Sequence, residues 1–518
     1  MTFEDFKARL SGMSNDELKE MLERRHPDYA EKRKHWDFLE ATYEGGREWF
    51  KHNIFQYYKE GDTEFRERLD RAYRFNHTRE VVDLVNKYIF KAPIVRRKED
   101  APQAIKNFWK NSTLRRREIQ EFMKLVSAKA STFGKIWVVV DSNKRGGGGT
   151  TQEDKASGNR VYSYIVKPQN VLDMGYAPDG TLNWIIIDST ARDDSDPWSA
   201  GENVQQFRIW TPNYWALFEK VGTGNRKRYQ FVDAGEHNVG ITPAFPVDHV
   251  IDENLYSGQA LIDDTAYLDR AVANYLSNLD AIIQDQTFSQ LVIPAQAMIP
   301  GDDGHEKILE MSTKRIFTFD GQSNMEPKFI SPDTSQAGTI LKVVEKIISE
   351  IYHSTGMAGE RTKQDNSMSI DNSSGVAKAY DFERMNAMLA SKANALQMAE
   401  MQLMQIVSAY NSEEFEADDE RPLVKYPDNF DVRGLYDEFE IAQRLSMVGA
   451  PKELRREQMK TVADKLFVTT PTKRLSAIKK EIEDEWLEDD EISLQQPPAP
   501  SDIPAGENRQ GQVTEETP

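Results

Sequence analysis

Five aspartates, Asp263, Asp264, Asp269, Asp280 and Asp285, stand against a single base, Arg270, in one stretch that reads as helix, Gly258 to Gln290. Carboxylates at this density can hold a cation, move protons, or simply solvate a helix face. Nothing beside them completes a catalytic set. The histidines, among them His237, His249, His305 and His353, form no close metal-ligand pair, and the chain has no cysteine to act as thiolate ligand or nucleophile. Asp302-Asp303, between Gly301 and Gly304, has the oxygens for a cation but reads as an exposed turn. Gly222-Thr223-Gly224-Asn225-Arg226-Lys227 lacks the spacing of a phosphate-cradling loop and reads as a hairpin turn. No G-x-S-x-G elbow is present. These residues predict a protein that is not an enzyme and uses no cofactor and no metal. The enzymatic alternative is a metal-dependent nuclease built on the scattered carboxylates.

A second group has chemistry of another kind. Ser354 to Gly375 is rich in Ser, Asn and Gly and has no hydrophobic period; it carries Arg361 and Lys363 beside Gln364, Asn366 and Ser367, with Met357 and Met368 as apolar points. Long basic side chains on such a loop can touch phosphate without reading sequence. A plain connector with scattered charges has the same composition. The basic runs Lys32-Arg33-Lys34, Arg96-Arg97-Lys98 and Arg115-Arg116-Arg117 read as solvated or subunit-pairing surface. The acidic run Glu481 to Glu491, eight carboxylates without a base, reads as solubilising.

The elements that must position these groups follow from period and punctuation. Residues 1 to about 130 read as helical, with helices opening at Ser14, spanning Thr63 to Phe90, and spanning Arg115 to Thr132. Strand-like runs then follow at Lys135–Asp141, Val161–Val166, Leu182–Asp188, Val204–Trp210, Tyr214–Glu219 and Arg228–Val232, the pattern of an antiparallel meander. After the acidic helix come short strands at Leu291–Pro294 and Arg315–Phe319 and a helix at Ile340–Tyr352. Val376 to Tyr410 has no Gly or Pro, and its apolar stripe (Phe382, Met385, Leu389, Ala393, Leu396, Ala399, Leu403, Ile406, Tyr410) steps by three or four. At 1.5 Å per residue it spans roughly 50 Å. A strand at Leu423–Tyr426 and helices around Leu435–Met447, Glu453–Leu466 and Pro471–Leu487 precede a tail almost without apolar residues, expected to be disordered.

The 518 residues admit two to four domains, and 39% apolar with 29% charged residues predicts a soluble α+β protein, mainly helical. No run approaches the ~18 apolar residues of a membrane span. Met1 to Leu10 lacks the apolar centre of a signal peptide, which predicts a product that stays in the cytoplasm where it is made. A net charge of -19 argues against broad gripping of nucleic acid, yet suits a surface past which DNA must slide without sticking.

Several strings, in order, resemble the portal proteins of long-tailed bacteriophages. Tyr43-Glu44-Gly45-Gly46, Arg71 to Asn76, and Tyr88-Ile89-Phe90-Lys91-Ala92-Pro93 look like wing segments. Ala130 to Trp137 and Lys167-Pro168-Gln169-Asn170-Val171 look like the start of the wing sheet. Ser373-Ser374-Gly375-Val376-Ala377-Lys378-Ala379-Tyr380-Asp381-Phe382-Glu383 looks like the step from tunnel loop to long helix. The resemblance covers Met1 to about Leu487. It implies a wing at 1–257, stem helices at 258–290 and 336–353, a clip at 291–335 and a tunnel loop at 354–375. A long kinked helix at 376–411, a crown at 412–490 and a tail at 491–518 complete the chain.

By that likeness the subunits form a ring, usually a dodecamer, at one capsid vertex of the virion, through which double-stranded DNA is packaged and ejected. Arg361, Lys363, Gln364, Asn366 and Met368 are then tunnel-loop residues, and Asp263, Asp264, Asp280 and Asp285 face the channel. Lys314, Arg315, Phe317 and Phe319 belong to the clip, where the terminase large subunit and head-tail adaptor dock. Major capsid and scaffolding proteins are further partners, and no membrane is involved. The structural alternative is an internal capsid or scaffolding protein without a channel.

Overall fold

The structure is a computed structural model. It describes residues 2–91, 93–143, 160–192, 196–198, 201, 203–222, 227–237, 239–287, 290–292, 328–330, 335–357, 375–413, 422–428, 430, 441–445, 451–467 and 472–484. The fold is mixed α and β, in two compact units, Met1–Asp431 and Val432–Pro518.

The first unit opens with helices set by local signals. Reciprocal capping boxes, Thr2 with Asp5 and Ser14 with Glu17, start α1 (Phe3–Ser11) and α2 (Asn15–Glu23). α3 (Tyr29–Glu44) and α4 (Arg47–Asn53) follow. The helix expected from Thr63 to Phe90 is two, α5 (Asp62–Arg71) and α6 (His77–Lys91). Asn76 explains the break: its side-chain oxygen accepts the Arg79 N–H at 2.9 Å, a cap that starts a new helix. β1 (Val95–Arg96) and α7 (Gln103–Lys110) lead to α8 (Ile119–Phe133). α8 begins later than the expected Arg115 because Ser112–Arg117 closes as a turn, the Ser112 N–H donating to the Arg117 carbonyl at 2.8 Å.

The expected meander resolves into two sheets. β4 (Val171–Tyr176), β5 (Leu182–Asp188), β7 (Asn203–Trp210), β8 (Tyr214–Val221) and β9 (Arg228–Glu236) form it in sequence order, with β6 (Ala191–Arg192) on β7. β2 (Lys135–Ser142), β3 (Val161–Val166) and β10 (Ala244–Asp248) form a separate antiparallel sheet with β2 in the middle. Central and covered on both faces, β2 is buried along nearly its whole length, which is why its sequence lacks alternation. β10 holds Pro246, tolerated because the strand lies at the sheet edge.

α9 (Thr265–Thr287) and α10 (Ser335–Ser354) pack on one another. β11 (Gln290–Val292) and β12 (Lys328–Ile330) pair antiparallel between them, Leu291 opposite Phe329. β12 is not a strand that the sequence reading placed, and the expected strand Arg315–Phe319 lies outside the described residues. α11 (Gly375–Tyr410) is one uninterrupted helix, over the span expected from Val376 to Tyr410. The chain then returns: β13 (Val424–Lys425) pairs with β1, and Gln397 and Asn386 of α11 accept the Tyr426 and Phe430 N–H groups at 2.9 and 2.8 Å. One apolar core runs from α1 and α2 through both sheets to α10 and α11. In the second unit, α12 (Lys452–Leu466) packs on α13 (Thr472–Asp484), burying Val462 and Ile482 under a Lys460–Glu483 pair at 3.2 Å.

Candidate functional site

The acidic stretch begins with a correction. Residues 258–264 are not helical, and α9 starts at Thr265. Gly258 meets Gly134 backbone to backbone. A Cβ on Gly134 would stand 2.2 Å from the Gly258 carbonyl oxygen, and Gly134 sits at φ +81, where L side chains are strained.

Three of the five aspartates are engaged within the chain. Asp263 lies 2.7 Å from His35 Nε2 and accepts the Ala260 N–H at 2.8 Å. Asp269, fully buried, accepts from the Thr78 hydroxyl at 2.8 Å and stands 3.9 Å from Arg74. Burial raises the Asp269 carboxyl above its ordinary range, with Arg74 and Thr78 pulling it back. Asp280 pairs with Arg71 at 3.3 Å. Asp264 is exposed, and the Asp285 side chain is outside the described set.

These contacts belong to a clasp on the base of α9. Arg68, Arg71 and Arg74 recur every third residue and all reach α9. Arg68 is buried, donating to both Glu60 oxygens at 2.7 Å, to Ser277 Oγ at 2.9 Å and to the Phe55 carbonyl at 2.9 Å. Arg270, the lone base of the stretch, has its guanidinium 4.7 Å from Phe38, 5.0 Å from Tyr267 and 5.4 Å from Phe55 ring centres. α10 is tied at the same end by Tyr352, whose hydroxyl donates to Glu80 at 2.6 Å.

Away from the clasp the pair opens to solvent. The last buried described side chain of α9 is Leu279 and the first of α10 is Val344. Between them Ile283 is 49% exposed and Leu341 45%. Of the apolar side chains at helical spacing in the two helices, Val344, Ile348 and Ile351 are buried, Leu268 and Ile282 half-buried, and Tyr275 exposed.

α11 carries a network that the sequence reading missed. Glu400, fully buried, accepts from Arg96 at 2.6 and 3.0 Å and from the Tyr426 hydroxyl at 2.7 Å. Lys392, also fully buried, lies 3.0 Å from His249 Nδ1. Burial pulls the Lys392 ammonium down to about 7, and burial together with Lys392 holds His249 well below its ordinary value. Both residues step in phase with Leu389, Leu396 and Leu403, so the spacing alone placed two charges on the buried face.

Arg361, Lys363, Gln364, Asn366 and Met368 lie outside the described residues, as do Lys314, Arg315, Phe317 and Phe319, and His305 with Asp302-Asp303. Met357 is buried just past α10. Among the described residues no group of three or more His, Asp or Glu is placed to hold a metal, and no helix is long and apolar enough to cross a membrane.

No family model matches the chain, and no curated protein matches it. Among solved structures, a chain from the neck of an empty gene transfer agent particle, computed with C6 symmetry, aligns at TM-score 0.39 and 10% identity, covering 72% of this chain and 90% of that one. A chain from the virion of a native gene transfer agent particle aligns at 0.38 and 13%, covering 72% and 85%. One from the neck of the native particle, computed with C12 symmetry, aligns at 0.38 and 12%, covering 71% and 85%. Likeness at these scores carries no argument of its own.

Proposed function

We propose that this chain is the subunit of a portal-type ring, a DNA conduit at one vertex of a virion capsid. The observation that carries the reading is the α9–α10 pair: clasped in the core at one end, without a buried side chain among the described residues past Leu279 and before Val344, and followed by the long α11. Apolar side chains such as Ile283 and Leu341 at an open end mark a surface that a neighbour covers. A head-to-tail contact repeated at a fixed rotation closes a ring, a dodecamer by the family likeness.

In that ring α9 and α10 are the stem, 291–335 the clip and 354–375 the tunnel loop. Asp264 and Asp285 supply carboxylates to the channel, while Asp263 and Asp280 serve as ties to His35 and Arg71. Negative walls repel phosphate, so duplex DNA slides without sequence reading. Arg361 and Lys363, with Gln364, Asn366 and Met368, touch it weakly and reversibly at the constriction. Lys314, Arg315, Phe317 and Phe319 meet the terminase large subunit and head-tail adaptor; capsid and scaffolding proteins contact the outer rim.

The test compares assembly with packaging. Replacing Arg361 and Lys363 by Ala, or deleting residues 362–369, leaves ring yield unchanged and lowers the yield of DNA-filled heads. Normal filling and retention with the loop deleted contradicts the conduit reading.

A further inference from the structure

Between α7 and α8 the chain makes a turn that is more constrained than its exposed sequence requires. Ser112 is fully buried; its hydroxyl donates to the Phe108 carbonyl at 2.8 Å, and its carbonyl accepts the Ser163 N–H at 2.7 Å and the Ser163 hydroxyl at 2.9 Å. The Arg116 N–H donates to the Thr113 carbonyl at 2.9 Å, and the Arg117 N–H to the Thr113 hydroxyl at 3.2 Å. Arg116 is held at φ 57, a left-handed conformation uncommon for a residue with a Cβ. Leu114, Arg115, Arg116 and Arg117 all point to solvent. Beneath them Arg160 donates to the Leu114 carbonyl, and its Nη1 is buried with no hydrogen-bond partner.

Three exposed guanidinium groups therefore stand on one small turn, with a fourth, Arg160, against its backbone. Arg115, Arg116 and Arg117 have no ion pair among the described residues. Burial, and then the like charge of Arg116, lower the Arg160 pKa, so these groups crowd one another with no ion pair among the described residues. The nearby acids, Glu118 and Glu121, sit at the start of α8, where the helix dipole favours them. Like charges fixed together on a built turn are unfavourable in the isolated chain, and an anionic partner relieves that.

We infer that the Ser112–Arg117 turn, with Arg160, docks the phosphate backbone of duplex nucleic acid, at a surface separate from the proposed channel. Guanidinium forks match phosphate oxygens in pairs. Several exposed guanidinium groups on one turn suit a partner that offers many charges along a regular edge, as a duplex does. The chain's net charge of -19 does not prevent this, because charges beyond about 10 Å are largely screened at 0.1 M salt. Contact stays local, salt-sensitive and independent of base sequence. The inference does not rest on the ring reading.

The experiment is fluorescence anisotropy of a short labelled duplex with the full chain, from about 50 to 200 mM salt. Changing Arg115, Arg116 and Arg117 together to Ala weakens binding roughly tenfold or more at the low end. It also flattens the slope of log K against log salt by about 2 to 3. Changing Lys32, Arg33 and Lys34 to Ala leaves both unchanged. If the triple variant folds poorly by circular dichroism, Arg115→Glu, at an exposed position, carries the same expectation with a slope change of about 1. The inference is overturned if wild type fails to bind at low salt, or if the turn variants bind like wild type. It is equally overturned if the two triple variants lose binding alike, or if the turn variant changes the native mass, which makes the turn a subunit contact. Tighter binding of polyglutamate than of a duplex of equal charge overturns it in favour of an acidic protein. Loss of the ring with DNA binding retained removes the function proposed above and leaves this surface standing.

Discussion

The long helix α11 and the α9–α10 pair use charge in opposite ways. α11 takes Glu400 and Lys392 fully out of water and gives them partners from β1 and from the segments just after β13 and β10. The Arg96–Glu400 pair adds little net stability over apolar packing but fixes one arrangement, because any other leaves a buried charge alone. The α9–α10 pair is tied to the segments around it by pairs such as Arg74–Asp269 and Arg71–Asp280, and leaves apolar side chains such as Ile283 and Leu341 in solvent past Leu279 and before Val344. The first region is committed within the chain. The second is committed at its clasped end and exposes apolar side chains beyond it, which in the proposed ring a neighbouring subunit covers.

The largest effect expected from breaking this contrast is at Glu400. Glu400→Ala strands Arg96 and Tyr426 in the core and lowers unfolding stability by about 3–5 kcal/mol, read from the urea midpoint. A midpoint equal to wild type contradicts the claim that α11 is locked by this triad. Arg68→Ala, which opens the clasp, costs about 2–3 kcal/mol by the same measurement and increases protease cutting within α9. Little change there means that α9 is held by packing alone.

Lys392→Met acts in the other direction, stabilising the chain by about 1–3 kcal/mol at pH 7. Between the folded value of about 7 and the ordinary 10.5, the unfolded chain binds a proton that the folded chain does not, so Lys392 makes stability rise with pH across that window. Its penalty is complete below the window and gone above it. The gain from Met therefore shrinks from pH 7 to pH 10, and a gain that stays constant with pH refutes a neutral buried Lys392. The smallest effect on folding is at the open end. Ile283→Asp with Leu341→Asp shifts the urea midpoint by no more than about 0.5 kcal/mol, as exposed substitutions do, while reducing self-association.

The sequence made the elements legible where one physical signal dominated. The strands Val161–Val166 and Leu182–Asp188 and the helix ending at Tyr410 fall where turn residues and apolar period put them. β10 was missed because two prolines obscured an edge strand, and the α5–α6 break because Asn76 interrupts a period that otherwise continues. The aspartates of α9 were visible as composition, but their partners come from α3, α5 and α6, more than a hundred residues away along the chain, and no local pattern encodes such pairs. Lys392 and Glu400 escaped the reading because the expected stripe steps through their neighbours Ala393 and Ala399, although 389, 392, 396, 400 and 403 are spaced equally well for one buried face.

The central claim is that the open end of the α9–α10 pair is completed by the next subunit. Native mass measurement of the purified full chain at micromolar concentration in moderate salt tests it most directly, wild type beside the Ile283→Asp/Leu341→Asp variant. The account predicts one dominant closed oligomer for wild type, a dodecamer by the family likeness, and monomer for the folded variant. Monomeric wild type across that range, or a variant that assembles as fully as wild type, contradicts it.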